Sequence, residues 1–98
     1  PMRAALARLS TDLIATAGQR LHEGLTRLLG RRPRIAVAAL NPHGGEGGLF
    51  GDEESLLVAP AVQILSDAGI DAEGPFPADT LFQRAFRGEW DGVVALYH

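Results

Sequence analysis

The 98-residue chain contains no cysteine and no lysine, and only one tryptophan, one tyrosine and one methionine. Without cysteine there is neither a disulfide nor a zinc–thiolate site, and the expected location is the cytoplasm. Without lysine, no phosphate-holding or proton-transferring lysine comes from this segment. No apolar run approaches the roughly 20 residues of a membrane span. Residues 1–3 are not followed by the apolar stretch of a secretory signal. A formal charge of −3 argues against nucleic acid as a partner. What is present is apolar: 46% of the residues, enough for a packed core in one small domain or in part of a larger one.

Charge and periodicity divide the chain. Seven of the nine arginines lie in residues 1–34 against Asp12 and Glu23, which reads as the solvated face of a helix. Leu6, Leu9, Leu13, Ala17, Leu21, Leu25 and Leu28 recur at steps of three and four and predict one apolar stripe on that helix. His22 falls off the stripe and is expected at the surface. Gly18 and Gly24 weaken the helix by about 1 kcal/mol each relative to alanine. Gly30 and Pro33 stop it, with Arg27 and Arg31 near its negative end.

Arg34–Leu40 predicts a strand, and its unbroken apolar character fits a parallel strand covered on both faces. A loop, Asn41–Gly51, follows. Asp52, Glu53 and Glu54 then supply a cap and first-turn acids for a helix to about Ala68, with Pro60 expected to kink or restart it. Ile70–Glu73 is a short strand at most. Asp79 is expected to cap a helix over Thr80–Arg87, and Gly92–Tyr97 to form a second buried strand. Phe82, Phe86 and Trp90 read as packing residues. The alternation of helix and strand predicts an α/β fold with a parallel sheet and right-handed crossovers. With His98 closing a strand, the chain is expected to be a fragment of a longer protein.

The chemistry concentrates at strand ends. His43 follows the first strand inside a loop carrying Gly44, Gly45, Gly47 and Gly48, a poor place for core packing, and His98 ends the last strand. In a parallel sheet both belong to the carboxyl edge, where open α/β sheets bind ligands. Neutral imidazole is the commonest metal ligand, so the pair suggests one metal site. A catalytic zinc usually takes three protein ligands and leaves one position open. Glu46, Asp79 or a histidine outside the segment could supply the third. The glycines do not make a Walker A loop, because no lysine follows, and Phe50 stands where GxGxxG needs its last glycine. They let the backbone turn sharply or approach a bulky ligand.

Three stretches then match a known pattern in order and spacing: LNPHGGEGGLFG (Leu40–Gly51), GPFPADTLF (Gly74–Phe82) and VALYH (Val94–His98). The chain resembles the 4-hydroxythreonine-4-phosphate dehydrogenase (PdxA) family of vitamin B6 biosynthesis. The resemblance implies a fold similar to isocitrate and isopropylmalate dehydrogenases. It also implies a homodimer whose active site is shared between subunits. The activity would be NAD- or NADP-dependent oxidation of a secondary alcohol in a small phosphorylated substrate, followed by loss of carbon dioxide. A divalent metal (zinc, magnesium or cobalt) is held in such enzymes by three histidines. Two of these map onto His43 and His98, and the third lies outside this segment. Asp79 matches an acidic position lining the site. The chain would be the central part of a two-lobed dehydrogenase about three times longer. Paralogues acting on four-carbon sugar-acid 4-phosphates or on a terephthalate-type cis-dihydrodiol are the nearest alternative. An α/β interaction domain with incidental histidines is the non-enzymatic one.

Overall fold

The computed structural model describes residues 2–39 and 49–95. Helix α1 (Met2–Leu29) leads into strand β1 (Arg34–Ala39), helix α2 (Leu49–Asp67) into β2 (Asp71–Pro77), and helix α3 (Ala78–Phe86) into β3 (Gly92–Ala95). The strands form one parallel sheet in the order β2-β1-β3. The expected α/β architecture is thus present. Among the described residues, no helix is long and apolar enough to cross a membrane.

The central strand explains its own sequence. Every residue from Ile35 to Ala38 is buried. Ile35 and Val37 join Ile14, Val58, Leu65 and Val94 in a core with α1 and α2, whereas Ala36 and Ala38 join Leu81 and Trp90 beneath α3. Successive side chains of a strand point to opposite faces, so a strand covered twice must be apolar throughout. The crossover through α2 runs from β1 to one neighbour position, and the crossover through α3 returns across β1 to the other. Two crossovers of one hand that run in opposite directions place their helices on opposite faces.

The leucine periodicity of α1 gives the helix correctly and its buried face only in part. Ile14, Ala15 and Gly18 are buried and Leu21 and Leu25 pack against them, while Leu13 is 53% and Leu28 82% exposed. The glycine sets the rotation. A Cβ at position 18 would lie 2.6 Å from Leu65 Cδ1, so α2 crosses where α1 has no side chain. Thr11 fixes the same crossing by donating its hydroxyl to the Leu57 carbonyl at 3.0 Å. His22 falls near this rotated face, half-buried and with Nδ1 shielded from solvent, rather than at the surface.

Two further expectations are corrected. Helix α2 starts at Leu49 rather than Asp52 and runs through Pro60 without interruption. The carbonyl that Pro60 leaves without a backbone donor belongs to Leu56, a residue that is 74% exposed. Strand β2 extends through both prolines instead of ending at Glu73. It is an edge strand, where a missing N–H can face outward. The pairing shifts register between Ala36 and Ala38. That shift lets Phe76 turn back to the α3 side, 5.4 Å from the Trp90 ring. Gly74 makes the shift possible: its φ is +154°, and a Cβ there would meet the Val37 carbonyl oxygen at 2.6 Å.

Candidate functional site at the carboxyl edge of the sheet

Strands β1 and β2 are neighbours whose following helices lie on opposite faces. Their last paired residues are Ala39 and Pro77. Chains that leave adjacent parallel strands toward opposite faces open a crevice between them, the usual ligand site of an open α/β sheet.

The start of α3 stands at this edge of the sheet. Its N-cap is Pro77, extended and with no side-chain capping bond. Asp79 is therefore not the cap that the sequence suggested. It lies in the first turn, two residues past the end of β2, and is exposed. Its carboxylate has no hydrogen-bond or ion-pair partner among the described residues. A negative charge there is stabilised by the helix dipole without being consumed by a neighbour. Thr80 Oγ1 donates to the Pro77 carbonyl at 3.3 Å and tightens the turn that presents Asp79.

His43 and Glu46 fall in residues 40–48 and His98 in residues 96–98, outside the described residues. The strands they follow, β1 and β3, are parallel neighbours with Ala38 paired to Ala95. The polypeptide therefore leaves β1, β2 and β3 at one edge. Among the described residues, no group of three or more histidine, cysteine or acidic side chains could hold a metal.

The opposite, amino edge carries polar structure that the sequence reading missed. Arg31 donates from both terminal nitrogens to Asp91, at 2.8 and 3.0 Å, and the Arg34 backbone N–H donates to the same carboxylate at 2.7 Å. These bonds, the Arg31 side chain first, hold the Asp91 carboxyl down to about 2. The Asp91 N–H returns a bond to the Arg34 carbonyl at 2.8 Å. The Arg34 guanidinium lies 4.5 Å over the Trp90 ring and donates to the Glu89 carbonyl. An arginine and an aspartate 60 positions apart give no local signal. Only the pairing of β1 with β3 brings them together.

Comparison with known proteins identifies the family. The family described as pyridoxal phosphate biosynthetic protein PdxA matches residues 1–98. A 4-hydroxythreonine-4-phosphate dehydrogenase of Geobacter metallireducens is 58% identical over 77 residues, covering 79% of this chain and 23% of the relative. A D-threonate 4-phosphate dehydrogenase of Pectobacterium atrosepticum is 45% identical over 97 residues, covering 99% of this chain and 30% of the relative. The crystal structure of a 4-hydroxythreonine-4-phosphate dehydrogenase from Klebsiella pneumoniae superposes with a TM-score of 0.79 at 46% identity, over 100% of this chain and 30% of that one. The chain thus spans under a third of the length of these relatives. With the whole chain matched by the family pattern and its backbone by a solved relative, the chain belongs to the PdxA family.

Proposed function

We propose that the chain is the central part of a two-lobed, NAD- or NADP-dependent dehydrogenase that oxidises 4-phosphohydroxy-L-threonine and then releases carbon dioxide. The observation that supports this reading is the parallel pairing of β1 with β2 through Ala39 and Pro77, which puts the exposed Asp79, at the start of α3, at the carboxyl edge of the sheet. The His43 loop leaves the same edge, and His98 follows β3 beside it. As neutral imidazoles these two residues suit a divalent cation, which would polarise the substrate hydroxyl when bound. His43 and His98 would hold the cation and orient the hydroxyl. Asp79, exposed and without a partner among the described residues, would take or return a proton at a substrate hydroxyl, or orient it. The hydride chemistry belongs to the nicotinamide, so these residues position and polarise.

A homodimer with a shared active site would supply the remaining metal ligand and the substrate-holding residues. The absence of cysteine fits a cytoplasmic enzyme. A second reading, oxidation of a four-carbon sugar-acid 4-phosphate, is favoured by the D-threonate 4-phosphate dehydrogenases, which match nearly the full chain. Steady-state comparison of the two substrates separates the readings, the preferred one having the higher kcat/KM.

The metal assignment is tested with His43→Ala in the full-length protein. Bound metal and turnover should both disappear while the circular dichroism spectrum and melting transition stay as in the parent. Unchanged metal stoichiometry would remove His43 from the site.

A further inference from the structure

Strand β2 changes faces partway along its length. Ala72 packs in the core beneath α1 and α2. Side chains of a strand alternate, so Phe76, four residues on, belongs by parity to that same core. It packs instead on the other face, with Ala36, Ala38, Leu81 and Trp90. The register shows how. From the pair Ala36–Glu73 to the pair Ala38–Phe76, β1 advances by two residues and β2 by three. β2 therefore carries one extra residue, a bulge at Gly74 and Pro75. The bulge needs glycine, because at a φ of +154° a Cβ on residue 74 would press on the Val37 carbonyl.

We infer that this bulge positions Asp79, and that Phe76 is the positioning residue that locks it. Bulges recur next to active sites, where they re-aim a side chain. Here the coupling is direct. β2 ends at Pro77 and α3 begins at Ala78, with no residue between them to absorb a slip. A slip of one residue would move the start of α3 by about 3.3 Å and send the following side chains to opposite faces. Asp79 has no partner of its own among the described residues, so its place is set by what holds the chain before it. Phe76, three residues earlier, is held on two sides. Its ring lies 5.4 Å from the Trp90 ring, and the Arg84 guanidinium lies 5.6 Å from its centroid. Both neighbours are themselves fixed. Arg84 pairs with Glu89 at 3.2 Å, and Trp90 lies beneath the Arg34 guanidinium. The inference rests on the reading of Asp79 as a group that meets the substrate, and it names the residue that sets where that group stands.

A double-mutant cycle in the full-length protein tests it, with kcat/KM measured on the preferred of the two phosphorylated substrates. Phe76→Ala should lower kcat/KM by about tenfold in the parent, as a misplaced catalytic group does. In the Asp79→Asn background the same substitution should change it by no more than about twofold, because the group that Phe76 positions is already gone. Phe76→Leu, which returns an apolar side chain to the α3 face, should recover most of the loss. A purely structural role gives a different pattern: a smaller folded fraction lowers activity equally in both backgrounds. A tenfold loss in each would therefore overturn the inference and leave the reading of Asp79 standing. An unchanged kcat/KM in Phe76→Ala would overturn it as well. Full turnover in Asp79→Asn would overturn the reading of Asp79 itself, and the inference with it. Should Phe76→Ala fail to fold, Phe76→Val runs the same cycle and the same outcomes decide.

Discussion

The two edges of the sheet use acidic residues in opposite ways. At the amino edge Asp91 accepts three hydrogen bonds, two from Arg31 and one from the Arg34 backbone, and its pKa is held down to about 2. At the carboxyl edge Asp79 stands exposed in the first turn of α3 with no partner among the described residues. A carboxylate whose acceptor sites are filled is an element of structure. A carboxylate held only by a helix dipole remains able to bind something else. Both strand ends are built from the same backbone, and what separates a clasp from a candidate site is whether the fold already supplies the partner.

The largest effect that sharpens this contrast is expected at Asp79. Asp79→Asn should lower kcat/KM of the full-length protein by about a hundredfold or more while moving stability by no more than about 0.5 kcal/mol. A loss of stability with unchanged kinetics would put Asp79 on the structural side. Next comes Gly74→Ala, which challenges the backbone that joins the two edges. Its Cβ would press on the Val37 carbonyl, and the cost should be about 1–3 kcal/mol in denaturant unfolding. Full stability would mean that β2 relaxes without using the glycine.

Asp91→Asn should act through pH. The folded-state pKa lies below the unfolded value of about 4, so the clasp stabilises the fold above that pH and is lost as pH falls toward 2. The variant should be less stable than the parent at neutral pH and lose less on acidification between about pH 4 and 2, with kinetics unchanged. Parallel acid curves would show that Asp91 does not carry the difference. The smallest effect is expected from Thr11→Val, which removes the bond to the Leu57 carbonyl far from either edge and should cost about 1 kcal/mol by thermal melting.

The elements were legible wherever a local rule governs them. β1 announced itself because a strand covered on both faces must be apolar along its length. α1 ended at Gly30, as its stop signals required. The failures share one cause. The leucine stripe misled about α1 because the buried face was chosen by Gly18, whose value lies in what it lets Leu65 approach. Phe86 reads as a packing residue and is exposed, because nothing in α3 itself says which elements cover it. Asp79 has the composition of an N-cap, yet Pro77 takes that position. For the candidate site, His43 and His98 were nameable from their places at strand ends, and Asp79 as one of several open choices that the family resemblance then favoured. That β1 and β2 end side by side next to Asp79 became visible only with the strand order.

By itself the sequence determined the helices, the strands, their parallel alternation and the family. These follow from periodicity and from motifs whose meaning is carried over a few neighbouring residues. The tertiary structure alone decided the strand order, the face on which α1 packs, and which carboxylate is tied down and which stays exposed. Those outcomes depend on groups tens of residues apart, such as Arg31 and Asp91 or Gly18 and Leu65, and no local pattern encodes a contact that exists only once the sheet has formed.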